Sequence, residues 1–480
     1  MRPRELVGLL RNRDFALLVG GRLVTNAGDS LYYIAAMWLV YDLTGSELFT
    51  GLAGFLTMAP AALQFLFGPL VDRTPLERLL VGTQVVQGLL VLVVPAAHYL
   101  GVLSVWVVLT VMPLLSLLNQ PVYPAQSAAL PRIVDRDELV GANSVLTLAY
   151  QGVNAGFNAL GGVVVAAFGA VTLFLVDSVT FAVATMLFLG LNIPEAGAGD
   201  IDDEGSAAED ADEAAADGEA GDPAPVADGG RDEPGDRTAD PADDADADAP
   251  AADDPAPDAA PATEAPETDD DDGNSYLEDL REGIGFLRGT VVAKLTLGVI
   301  IVNFAFGGVM AILPSYGDSF GGAGAYGLLA AAVGVGMLAG SLVGNLVEEW
   351  PFGYVVSGGM AVSAVLWTAA IAVDSMPATP VLLALALVPA GTMNVLVFSL
   401  VQAVVPDRLL GRAMSVIRSG AGVMTPVGAL VGGAVADATS PGLVLYGNAV
   451  ATAVFALYVF ALPSLRRIPR VGSVSTLVAE

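Results

Sequence analysis

The sequence is nearly empty of cysteine, histidine and lysine, three residue types on which many catalytic centres depend. It has no cysteine, which excludes disulfides and thiolate metal sites. Its one histidine, His98, leaves histidine-based metal sites and Ser/His or Cys/His nucleophile pairs almost without material. Its one lysine, Lys294, gives a GxxxxGK[ST] phosphate loop nowhere to sit, so transport driven by ATP bound to this chain is not expected. Charge is scarce as well: 15% of the 480 residues are Asp, Glu, Lys or Arg, where soluble proteins carry about 25%. No cofactor, metal or nucleic-acid partner is expected, and the chain does not read as an enzyme.

What is present is apolar sequence. The hydrophobic class makes up 54% of the chain, in long uncharged tracts such as Val81–Val94, which runs on to Leu100, and Val355–Val373. One helical crossing of a bilayer needs about 20 such residues. Hydropathy and turn signals predict an all-α polytopic membrane protein with twelve spans. Six precede residue 195, at 15–41, 48–70, 78–100, 103–127, 140–168 and 171–191. Six follow residue 290, at 291–314, 324–347, 354–374, 380–404, 411–436 and 442–462. Residues 1–14 form a basic arm without a small-residue cleavage site after a short apolar core, and 464–480 form a tail.

Charge is concentrated between the two sets of spans. Residues 195–272 hold 30 of the 51 acidic residues and two of the 20 basic ones, a net of −28. The other 21 acidic and 18 basic residues leave −3 for everything else. This stretch has almost no large apolar side chain to offset chain entropy, so 195–274 is expected to be a disordered acidic tether, extended by self-repulsion. Its composition suits either a salt-rich cytoplasm, as in a halophilic microbe, or a GC-biased genome. After it, 275–290 carries Tyr276, Leu280, Ile284 and Leu287 at helical spacing and is expected to lie along the cytoplasmic interface.

Basic residues fix the orientation. With the N-terminus in the cytoplasm, Arg2, Arg4, Arg11, Arg13, Arg73, Arg78, Arg132 and Arg136 fall inside. So do Arg231, Arg237, Arg281, Arg288, Lys294, Arg408, Arg412, Arg466, Arg467 and Arg470. Arg22 and Arg418 lie within spans, and no predicted outside loop contains a basic residue. This is the positive-inside pattern. It places both termini and the tether in the cytoplasm, with the chain in the plasma membrane.

Six spans plus six invite a search for a duplication. Leu130-Pro131-Arg132 leading to Leu139-Val140-Gly141 after span four echoes Val405-Pro406-Asp407-Arg408 leading to Leu410-Gly411-Arg412 after span ten. Each reads as a proline-marked inside loop. The loop Gly68-Pro69-Leu70-Val71-Asp72-Arg73-Thr74-Pro75-Leu76-Glu77-Arg78 resembles the signature G-x-L-x-D-R-x-x-R/K-R/K of the major facilitator superfamily. Pro75, Leu76 and Glu77 depart from its usual glycine and paired basic residues. The opening stretch 11–46, with its Gly28-Asp29 pair and closing Tyr41-Asp42-Leu43-Thr44-Gly45-Ser46, is similar to the first helix of that superfamily's macrolide-efflux-like exporters. Tyr123 to Pro131 with Asn143-Ser144 is similar to their fourth-to-fifth helix loop. The resemblance covers the spans and not the tether. It implies two six-helix bundles, 15–194 and 291–463, a drug/proton antiporter type of activity, and gating by Gly68, Asp72, Arg73 and Arg78.

A charge inside a span costs about 2.5–3.5 kcal/mol on insertion scales, so it faces protein or a water-filled cavity. The candidates are Arg22 and Asp29 in span one, Asp177 in span six and Arg418 in span eleven. Gln64, Gln84, Gln87, Asn119, Gln120, Asn303, Asn394 and Gln402 are supporting polar groups. Arg22, Asn26 and Asp29 recur at i, i+4 and i+7 on one helix face. The two charges are about 10.5 Å apart along the axis, too far for an unaided ion pair. Asp29 reads either as the group that takes up and releases a coupling proton or cation, or as an anchor between helices. Gln151, Asn154 and Asn158 in span five share a face that lines a cavity or bonds neighbouring helices. Asp177 reads as structural, His98 as a surface group, and Gly334, Gly336, Gly340 and Gly344 as close helix packing. The expected protein is a monomeric secondary transporter that exports a small amphipathic solute by alternating access, driven by a proton or cation gradient. A transporter of a polar nutrient on the same fold, or a transporter-like receptor using the tether, are the other readings.

Overall fold

The computed structural model describes residues 8–135, 138–194, 290–405 and 407–470. The predicted interfacial helix at 275–289, the tether and the tail beyond 470 lie outside the described residues. So do the side chains of Asp72, Gln151, Asn154, Asn158 and Arg418. Among the described residues there is no β-strand, and the helices pack as one compact unit.

Each of the twelve expected spans coincides with a helical rod. The first rod is α1 (Arg13–Thr44). The second is α2 (Glu47–Met58), a 3₁₀ stretch (Ala59–Phe67) and α3 (Gly68–Arg73). The third is α4 (Leu76–Val91) with α5 (Val93–Tyr99), and the fourth is α6 (Val105–Asn119) with α7 (Val122–Ile133). The fifth and sixth are α8 (Leu139–Phe168) and α9 (Ala170–Phe188). The seventh to twelfth are α10 (Val291–Ser319), α11 (Ala323–Val347), α12 (Phe352–Val373), α13 (Thr379–Val404), α14 (Asp407–Ala438) and α15 (Pro441–Ala461). Eight rods among the described residues are long and apolar enough to cross a membrane by length and composition alone: the third, fourth, sixth to tenth and twelfth. Of the other four, α1 carries the Arg22–Asp29 face and the second rod is interrupted.

The interruptions follow proline, which cannot donate its backbone nitrogen to the carbonyl four residues back. Pro60 opens the 3₁₀ stretch. Pro95 removes the bond to Val91, the last residue of α4, and Pro124 removes the bond to Gln120, between α6 and α7. Pro131 does not mark a loop: α7 continues through it to Ile133. Its place in the last turn leaves only Arg132 and Ile133 beyond it in the helix. A few ends are capped by side chains. Asn12 accepts from the backbone nitrogens of Asp14 and Phe15, and its Nδ2 donates to Ile133 O at 2.8 Å, tying the start of rod one to the end of rod four. Gly45 ends α1 at φ 60°, a left-handed turn suited to glycine.

The packing repeats the duplication that the sequence shows only faintly. In the first half, rod one packs on rods five and six, rod three on six, and rod two on four. In the second half, seven packs on eleven and twelve, nine on twelve, and eight on ten. Adding six to each number in the first set produces the second. The halves meet through rods two and eleven and, by the same rule, rods five and eight. Several contacts need glycine. A side chain at Gly51 would strike Ala429 O and Gly433, one at Gly340 would strike Val388 O, and one at Gly391 would strike Met337 O. Small residues let helix backbones approach in a medium that gives no hydrophobic drive between helices.

Candidate functional site

The buried polar groups gather in the first half. Along α1, Arg22 and Asn26 are buried and Asp29 is half-buried. Arg22 makes no bond at its Nη1; its guanidinium lies 4.9 Å from the centre of the Tyr123 ring, a cation–π contact from the fourth rod. Asn119 Nδ2, one turn earlier on that rod, donates to Asp29 Oδ2 at 3.3 Å. The i, i+4, i+7 face of rod one therefore rests against the bend in rod four.

Rod six brings a second carboxylate. Asp177 is fully buried. Thr180 Oγ1 donates to its Oδ1 at 3.1 Å, while Oδ2 has no hydrogen-bond partner. Asp177 and Thr180 press on Gly28, where a β-carbon would collide with both side chains. That glycine lets rod six bring the carboxylate against rod one at the residue next to Asp29, and like charges brought together repel. Asp177 is thus part of the cluster. Its proximity to Asp29 depends on a contact between residues about 150 positions apart, for which the sequence carries no signal. Tyr123 and Thr180 were equally invisible as partners.

Rod three adds amides. Gln84 and Gln87 are buried. Gln87 Nε2 donates to Leu115 O at 3.2 Å, and the side-chain oxygens of both glutamines are unpartnered. Of the remaining polar candidates, Gln120 is buried, Asn303 and Asn119 are half-buried, and Gln64, Asn394 and Gln402 are exposed. His98 is exposed. Arg73 and Arg78 of the signature loop are exposed and Gly68 is half-buried. The departure at Glu77 has a local function: its Oε1 accepts from Ile193 N at 2.6 Å, holding the end of the first half against the loop.

The seam between halves is closed at one end. The end away from the termini and the tether is called distal here. There Ser46 Oγ donates to Asp437 Oδ1 at 2.7 Å, and Tyr41 OH reaches Asp318 Oδ2 at 3.5 Å. Trp38 stacks on Tyr326 at 5.8 Å. In rod two, Thr50, Ala53 and Gly54 are buried in this distal part, but residues 61–64, past Pro60, are all exposed. Gly54 lies level with Met37, whose terminal carbon would be 3.8 Å from a β-carbon added at the glycine, so the antiparallel run brings Asp29 to about the level of the exposed stretch. A separate apolar groove of about 990 Å³ lies between α12 and α15, lined by residues such as Ala361, Val365 and Leu457. It has no charged lining residue and sits in the other half from Asp29.

Known proteins match in two ways. Residues 7–196 match the family model described as "Transmembrane secretion effector". An uncharacterized MFS-type transporter, YvqJ of Bacillus subtilis (strain 168), is 30% identical over 179 residues, 37% of this chain and 40% of the relative. The chain thus aligns with well under half the length of that curated relative. Among solved structures, a bacterial homolog of the human lysosomal transporter Spinster, inward-facing and unoccupied, matches at a TM-score of 0.61. It has 12% identity over 96% of this chain and 97% of its own. This is a multi-pass membrane protein with the major facilitator fold. A D-xylose-proton symporter shares that fold at a TM-score of 0.60 and 10% identity, over 96% of this chain and 99% of its own. Identities this low concern the fold alone. Within the major facilitator fold, the family match ends where the first half ends.

Proposed function

We propose that this protein is a secondary transporter that exports a small amphipathic organic solute across the plasma membrane by alternating access, coupled to a proton or cation gradient. All twelve rods cross the membrane in this reading, with both termini and the acidic tether in the cytoplasm. The distal end then faces outside, and the seam is sealed outside and open inside. The observation that carries the reading is the coincidence of two features. The only buried charges among the described residues, Arg22 and Asp177, sit with half-buried Asp29 in one half, at about the depth where the seam opens.

Alternating access gives that placement a purpose. In the state described here Asp29 communicates with the cytoplasm. Rocking of one half against the other would break the Ser46–Asp437 and Tyr41–Asp318 contacts, close the linker end, and turn Asp29 to the outside. Gly68, Asp72, Arg73 and Arg78 are the expected brace of the closed linker end. Gln151, Asn154 and Asn158 on rod five, and Arg418 on rod eleven, belong to two of the four rods that carry the seam and are proposed to line the cavity. Export is favoured by the family description, "Transmembrane secretion effector", over the match region. The working unit is proposed to be a monomer, since each chain carries both halves.

The test uses purified protein in proteoliposomes with an imposed pH or sodium gradient. It compares lipophilic dyes with nucleosides and pentoses as cargo. Gradient-dependent movement of a dye supports the proposal. Movement of the polar solutes alone would replace it with nutrient transport, and movement of none would remove transport in favour of a receptor-like role.

A further inference from the structure

Among the described residues of the first half, three buried acceptors lack a hydrogen-bond partner, Gln84 Oε1, Gln87 Oε1 and Asp177 Oδ2, beside Arg22 Nη1 and the Tyr33 hydroxyl, and two of the acceptors fall in one place. Asp29 Oδ2 takes one bond, from Asn119, and Asp177 Oδ1 takes one, from Thr180. Asp177 Oδ2 and Gln87 Oε1 take none although both residues are at least 98% buried. Gln87 is at the same level. Its nitrogen is bonded to Leu115 O, one turn before Asn119 on the same face of the fourth rod. The adjacent Gly88 packs on Phe181, one turn beyond Asp177. An unpartnered acceptor in a membrane interior is costly, and here one of them, Asp177 Oδ2, belongs to a pair of like-charged carboxylates. Arg22 balances one of those charges and leaves a local net of −1, with Tyr32 and Tyr33 as the other titratable neighbours on α1. A proton on Asp177 Oδ2 would relieve the charge but could satisfy only one further acceptor, leaving the other oxygens of the group without a partner. A hard monovalent cation relieves both, because oxygen ligands without donors are what it takes.

We propose that Asp177, Asp29 and Gln87 Oε1, with Asn119 holding Asp29, form a site for one dehydrated sodium ion inside the first bundle. The proposal rests on reading this bundle as the coupling unit and names the coupling ion. Binding draws rods one, three, four and six together, and the bound ion neutralises the first half for its passage through the closed state.

The experiment measures binding without transport, so that its failure is separable from failure of the transporter reading. Detergent-purified wild type is heated in NaCl and in choline chloride at equal ionic strength, between pH 6 and 9, and ²²Na⁺ binding is measured in parallel. A sodium-specific rise in melting temperature that saturates, with about one ²²Na⁺ per chain, is expected. Asp177→Asn should raise the half-saturating sodium concentration at least tenfold. Gln87→Leu should raise it severalfold and provides a second variant should Asp177→Asn not fold. Asp437→Asn, at the distal seam, should leave it unchanged. Wild type that is indifferent to sodium, including wild type stabilised by acid alone, overturns the proposal.

Discussion

The two halves share a packing plan and differ in what they bury. The first buries Arg22, Asn26, Gln84, Gln87 and Asp177 among its polar groups. The buried polar residues of the second, among those described, are uncharged: Ser315, Ser357, Ser363, Thr379, Thr392, Asn448 and Thr452 are examples. Several are spent on backbone carbonyls, as when Thr392 Oγ1 donates to Gly340 O at 2.9 Å and Ser363 Oγ to Ala386 O at 2.6 Å. Gly340 and Gly391 bring rods eight and ten close enough for such bonds. A duplicated bundle can thus divide its labour. One copy keeps unsatisfied charge, which is costly in lipid and is retained where it does chemistry, and the other becomes a closely packed partner for it to move against.

The strongest test of that division joins the halves. The chain has no cysteine of its own, so Ser46→Cys with Asp437→Cys introduces the only thiols. Oxidation should cross-link them and stop transport almost completely, and a reductant should restore it. Unimpaired transport by the cross-linked protein would mean that the distal seam never opens. Next in size, Arg22→Gln should lower gradient-driven transport at least tenfold at equal membrane abundance. Asn448→Ala, a buried polar change in the second half, should alter it less than twofold; equal losses would erase the contrast between halves.

Stability should show the reverse asymmetry. Gly340→Val drives a branched side chain into Val388 O and the Gly391 backbone, an overpacking cost of about 2 kcal/mol or more. It should lower the melting temperature clearly in a detergent-solubilised sample. Gly358→Ala, whose β-carbon meets nothing within 4 Å, should change stability by no more than about 0.5 kcal/mol. The smallest effect is expected from deleting 196–274 with a short flexible replacement. Transport should stay within twofold of wild type, and loss of all function would favour a receptor that works through the tether.

The legibility of this molecule in its sequence follows the range of the interactions involved. Rod positions are local properties of apolar length and turn residues, and the structure has helix at all twelve. The Arg22–Asn26–Asp29 face needs only the 3.6-residue period, and the absence of a direct Arg22–Asp29 bond follows from rise per residue. Gly336, Gly340 and Gly344 were readable as packing positions from their spacing. Breaks within rods two, three and four follow prolines whose effect depends on where the helix meets its neighbours, so Pro131 sits inside a helix while Pro60 opens a 3₁₀ stretch. Asp177 read as structural because its role depends on Gly28, a contact between rods one and six. The Ser46–Asp437 contact spans 391 positions, and no local pattern in either half announces it.

In the proposed mechanism Asp29 couples an ion gradient to movement of the cargo. The direct measurement compares two assays of Asp29→Asn in proteoliposomes: uphill transport driven by an imposed gradient, and gradient-free exchange of labelled for unlabelled cargo. Uphill transport should fall to the level of empty vesicles while exchange continues, because the substituted protein still alternates and still binds cargo. Uphill transport at the wild-type rate would contradict it and leave Asp29 as an anchor between helices.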